Sequence, residues 1–101
     1  MPQTKKLSNN QKRFLRGIAH GLNPVILIGA NGLTDNLMQE LETTLSHHEL
    51  LKIKMASAER ADRKDIVDYI LQQTGAELVQ SIGKTVVIFR QNEDSELQLP
   101  K

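Results

Sequence analysis

Apolar positions recur at helical spacing in three stretches of the chain and at strand spacing in four. Phe14, Leu15, Ile18 and Ala19 make the stripe of a first helix that runs to about Ala19. Ser8 and Gln11 stand in the spacing of a capping box at its start, and Gly21 and Pro24 end it. Val25-Ile26-Leu27-Ile28 is a short continuous apolar run, rich in β-branched residues, and reads as a buried strand. Leu37, Leu41 and Leu45, with Met38 beside them, predict a second helix over about Asp35–Ser46 with Thr34 as its N-cap. Leu50 to Met55 alternates: Leu51, Ile53 and Met55 face one way, Lys52 and Lys54 the other. After a connection at Ala58-Glu59, Ile66, Val67, Ile70 and Leu71 mark a third helix over about Ala61–Thr74, stopped by Gly75. Glu77–Ile82 and Thr85–Arg90 flank Gly83-Lys84, a pair that suits a type II′ hairpin with Lys84 at the exposed tip.

The predicted order is α-β-α-β-α-β-β. Each strand–helix–strand unit should lay its two strands parallel, and the final hairpin adds an antiparallel strand. The expected fold is a compact α/β single domain, a mixed four-stranded sheet with helices packed on it. Residues 1–7 read as a flexible basic leader, and 91–101 as an acidic, loose tail apart from Leu97 and Leu99.

Composition narrows the class. With 101 residues there is room for one core, and 39% hydrophobic with 25% charged residues is globular rather than disordered. No cysteine is present, which removes disulfides and thiolate chemistry. No apolar run reaches the roughly 18–20 residues of a membrane span, and no secretory leader is evident, so a cytoplasmic protein is expected. Net charge is +1, but residues 1–34 hold Lys5, Lys6, Lys12, Arg13 and Arg16 and no acid, while Glu93, Asp94 and Glu96 crowd the tail. That asymmetry suits a polyanionic partner for the basic end, or a solvated helix face.

Candidate chemistry centres on Gly29-Ala30-Asn31-Gly32, which joins the first strand to the second helix. Such a loop is either a plain turn or, with unpaired amides beside a helix start, a seat for a phosphate. Asp35, in the first turn of that helix, argues mildly against the phosphate unless its carboxylate points away. Lys52 and Lys54 are equally compatible with edge protection and with an RNA-facing surface. His47-His48-Glu49 lacks the i, i+4 spacing of a zinc pair, and histidines at a helix C-terminus suit the dipole, so no metal is expected there. A nucleotide P-loop, a dinucleotide fingerprint and a nucleophile elbow are all missing. No cofactor, small-molecule substrate or catalysis is expected. With Phe14, Tyr69 and Phe89 the only aromatics, an RNA partner would be held through its backbone rather than by base stacking.

Arg16-Gly17-Ile18-Ala19-His20, Pro24 to Thr34, His47 to Lys54 and Gly83-Lys84 occur in the order of the CRM (chloroplast RNA splicing and ribosome maturation) family, which this chain resembles over about residues 7–90. The length resembles the free-standing bacterial members of the YhbY type. The resemblance implies a fold similar to the C-terminal domain of translation initiation factor three, and RNA binding. Bacterial members associate with precursors of the large ribosomal subunit, so ribosomal RNA in such particles is the implied partner. It maps the family's Gly-x-x-Gly loop onto Gly29, Ala30, Asn31 and Gly32. Many members carry a lysine inside that loop, where this chain has Ala30-Asn31. Here the loop is left with backbone N–H groups and Asn31, and the charge falls to Lys12, Arg13, Arg16, His20, Lys52, Lys54 and Lys84. The alternative is an adaptor module that binds protein and no RNA. Neither reading fixes an oligomeric state.

Overall fold

The computed structural model describes residues 7–29, 32–56, 60–93, 95 and 97–100. The elements are α1 (Asn9–His20), β1 (Ile26–Ile28), α2 (Asp35–His48), β2 (Leu50–Met55), α3 (Arg60–Thr74), β3 (Glu77–Ile82) and β4 (Thr85–Phe89), in the order expected. The capping box closes in both directions: the Gln11 amide donates to Ser8 Oγ at 3.1 Å and the Ser8 amide to Gln11 Oε1 at 2.9 Å. Thr34 Oγ1 accepts from the Leu37 amide at 3.2 Å. Gly83 has φ +57°, the left-handed value that the first central residue of a type II′ turn requires.

The sheet is mixed and four-stranded, in the order β1-β2-β4-β3. β1 and β2 are parallel, whereas β4 is antiparallel to both β2 and β3. β2 and β3 therefore run the same way, as expected for a strand–helix–strand unit, with β4 between them. Its composition explains the place it takes. Val86, Val87, Ile88 and Phe89 are all buried, so β4 needs cover on both faces. β3 carries Gln80, Ser81 and an exposed Ile82, and tolerates the edge.

Two cores lie on opposite faces. The larger joins Ile26, Ile28, Leu51, Ile53, Met55, Val86 and Ile88 of the sheet to Leu41 and Leu45 of α2 and Val67 and Ile70 of α3. The smaller joins Leu15 and Ala19 of α1 to Leu50, Val79, Val87 and Phe89, with Leu7, Leu97 and Leu99 packed around it. A bulge between Leu78 and Gln80 accompanies the entry of Val79.

Three expectations change here. α1 buries a stripe of Leu15 and Ala19 alone; Phe14 and Ile18 stay 39% and 38% exposed, because among the described residues no second helix lies on that face of the sheet. Leu7 is part of the fold rather than of a leader, and residues 1–6 lie outside the described residues. The tail is not loose where it is described. The Asn92 amide donates to Glu49 Oε2 at 2.8 Å, its side chain donates to the Ser46 carbonyl at 2.7 Å, and Gln91 Nε2 reaches the Leu97 carbonyl at 3.2 Å. The connection at Ala58-Glu59 lies outside the described residues.

Candidate nucleic-acid interface

β1, β2 and β3 all point toward one end of the sheet, so their following turns share that end. The Ala56 amide donates to the Ile28 carbonyl and the Met55 amide to the Lys84 carbonyl, each at 2.8 Å. Lys84 Nζ donates to the Ala56 carbonyl at 3.2 Å, which lays the hairpin's cation across the end of β2. α2 and α3 both begin at this end and run back along the sheet, so their positive dipole ends face it together. Open α/β sheets commonly place ligands at the carboxyl ends of their strands.

Within the loop, the Gly32 amide closes a turn onto the Gly29 carbonyl at 3.0 Å. Gly32 has φ +73°, a value that disfavours a side chain. Gly29 differs. Its φ is outside the left-handed region, and a Cβ added there would meet nothing within 4 Å, so the fold itself does not require glycine at this position. Ala30 and Asn31 lie outside the described residues. Beyond Gly32, Thr34 caps Leu37, and the first-turn amides of Asp35 and Asn36 precede the first acceptor that the helix itself can supply. Asp35 lines an open groove of about 310 Å³ between α2 and α3, with Leu33, Thr34, Met38, Asp65, Ile66 and Tyr69.

The two strand lysines part company. Lys52 is half-buried, and its ammonium donates to the carbonyls of Ala19 at 3.3 Å and Leu22 at 3.2 Å, at the C-terminal end of α1. It is a cap for that helix rather than a free cation. Lys54 is exposed on the same face. Edge protection is excluded for both, because β2 is an interior strand. On α1, Lys12, Arg16 and His20 recur every fourth residue along one flank, with Arg13 beside them; Arg13, Arg16 and His20 are exposed and Lys12 half-buried. The structure thus brings Gly29, Gly32 and Lys84 to one end. Lys54 and the α1 cations share the adjoining face, and Lys52 is withdrawn. His47 Nδ1 lies 2.8 Å from the Thr43 carbonyl, and Glu49, at φ +62°, accepts from Asn92, so these two serve the close of α2.

Sequence reading missed the exposure of Val25 and Leu27, which it took as buried strand. An all-apolar run carries no alternation to reveal that one face is open. Among the described residues no group of three or more His, Asp or Glu side chains could hold a metal ion, and no helix is long and apolar enough to cross a membrane.

Residues 7–90 match the CRS1 / YhbY (CRM) domain. The chain belongs to the CRM family. It is 46% identical over 95 residues to a Haemophilus influenzae protein named "RNA-binding protein", covering 94% of this chain and 96% of that one. It is 33% identical to the Bacillus subtilis "Probable RNA-binding protein YqeI", covering 93% of this CRM chain and 99% of the relative. The solution structure of a Staphylococcus aureus protein superposes with a TM-score of 0.78 at 36% identity, over 93% of this chain and 99% of that one. Fold and family thus agree with the resemblance read from the sequence.

Proposed function

We propose that this CRM domain is a non-catalytic RNA-binding protein that associates with precursor large-subunit ribosomal RNA in the cytoplasm and assists ribosome assembly. The observation that carries the reading is the shared end of the sheet. There the glycine turn, the starts of α2 and α3 and the Lys84 hairpin meet beside a face that holds Lys54 and the α1 cations. A phosphate at the turn would meet first-turn amides and the positive end of the helix dipole. In this reading the amides at the turn and in the first turn of α2 face the phosphate, with Asp35 beside them at the groove between the helices. Lys54, Lys84, Arg13 and Arg16 extend the contact along a nucleic-acid backbone. The names of the relatives support RNA as the polyanion.

Electrostatic binding of this kind weakens steeply with salt, because each neutralised phosphate releases counterions. Gradient sedimentation of a gentle lysate tests the whole reading. The protein is expected with pre-large-subunit particles at low salt and at the top of the gradient at high salt. Migration at the top under both conditions would remove the ribosomal reading. A purified protein whose binding partner is a polypeptide, held with little salt dependence, would favour the adaptor alternative.

A further inference from the structure

Among the described residues, the sheet face that carries α1 is only partly covered. α1 closes over Leu50, Val79, Val87 and Phe89, and Lys52 holds its last carbonyls. Beyond Lys52 one complete cross-strand row remains: Leu27 beside Lys54, Lys54 beside Thr85, and Thr85 beside Ile82. Alternation fixes the direction of this row, since Ile26, Ile28, Ile53, Met55 and Val86 all enter the larger core on the other side. Leu27 is 60% exposed, Ile82 64%, and Val25, at the same edge as Leu27, 58%. Single exposed apolar residues need no explanation. Three on one open sheet face, around a lysine and next to the glycine-loop end, form a surface.

We propose that this row receives unpaired bases of single-stranded RNA, with Leu27 and Ile82 against base faces and Lys54 on the backbone. The proposal rests on the RNA-binding reading above and adds what distinguishes one RNA from another. Charge selects the occupant: the row holds a cation at its centre, no carboxylate, and Lys84 at its end. Leu27 and Ile82 stand on the two outer strands, about 14 Å apart at ordinary strand spacing. Other four-stranded sheets lay two or three bases over such a width, using aromatic side chains. Aliphatic side chains offer the same flat apolar support with less affinity and little base preference. A duplex keeps its base faces stacked inside and offers this row nothing, so the expected consequence is a preference for single strands.

The test uses the double variant Leu27→Thr/Ile82→Thr, which places threonine, a good strand former, at both exposed strand positions, with thermal unfolding to show that the fold is retained. Binding is measured to a short oligoadenylate and to an abasic oligonucleotide of equal length across a salt series. The parent should bind the oligoadenylate roughly 10-fold more tightly than the abasic strand, and the variant should lose that margin. Its slope of log affinity against log salt should be unchanged, because the slope counts phosphates. The conservative pair Leu27→Met/Ile82→Val should keep the margin. A folded variant that retains the parent's margin, or a parent that shows none, overturns the inference and leaves the RNA reading standing. A parent that binds neither strand overturns both. Unchanged RNA binding with a halved sedimentation mass would assign the row to a second copy of this chain, and also overturns it.

Discussion

Lys52 and Lys54 stand two positions apart on one strand face and have different work. Replacing Lys52 with Ala strips the cation from the Ala19 and Leu22 carbonyls and should cost about 1–2 kcal/mol in urea unfolding, with little change in the salt slope of RNA binding. Lys54→Ala should leave stability within about 0.5 kcal/mol and lower the salt slope by roughly one phosphate's worth. Alternation put both lysines on the correct face. It could not show that a helix end would arrive over one and not the other, because that depends on contacts thirty residues away in sequence. Gly32 sits at the same scale. Asp tolerates left-handed φ better than most residues, so Gly32→Asp should remain folded at a cost of about 1 kcal/mol and weaken RNA binding about 10-fold or more through repulsion. Gly32→Asn, with the same shape and no charge, should keep most of the affinity. Circular dichroism with filter binding separates the two effects.

Among the elements, the helices were the most legible, because their caps are local chemistry: Ser8 with Gln11, and Thr34 with Leu37, are written three residues apart. The order of the strands was not. β4 earns its interior position by burial on two faces, and a run of Val86 to Phe89 says that a strand is buried without saying between which neighbours. Arg90, just past β4, also escaped notice. Its guanidinium donates to the Thr74 carbonyl at 3.0 Å and to Ser46 Oγ at 3.2 Å, and pairs with Glu42, so one side chain fastens the ends of α2 and α3. The pair with Glu42 is half open to water and adds little; the hydrogen bond to the end of α3 is the larger part. Arg90→Ala should destabilise the domain by about 2 kcal/mol, read as a lower urea midpoint at unchanged m, with RNA affinity preserved.

Across the whole molecule, the smaller core draws on distant parts of the chain, with Leu7 at one end and Leu97 and Leu99 at the other. Removing residues 96–101 should therefore loosen α1 first. Hydrogen exchange is expected to speed up at the amides of α1 while those in the middle of α2 and α3 hold. If α2 and α3 opened equally, the two cores would be one cooperative unit. The placement of the candidate interface was partly legible at this scale. The glycine loop and the hairpin lysine were visible as local motifs, and their meeting at one sheet end required the strand directions.

Those directions have an electrical consequence. α2 and α3 start at the same end, so their dipoles add rather than cancel, in a molecule whose net charge is only +1. Such a body is drawn only weakly toward a polyanion from afar, yet it experiences a torque as it approaches. Where the two dipoles outweigh the carboxylates of Asp35 and Asp62 in the first turns of α2 and α3, it turns its glycine-loop end forward before contact, and a larger share of collisions becomes productive. Added salt would then slow association by blurring this alignment, and not merely by loosening the complex once formed.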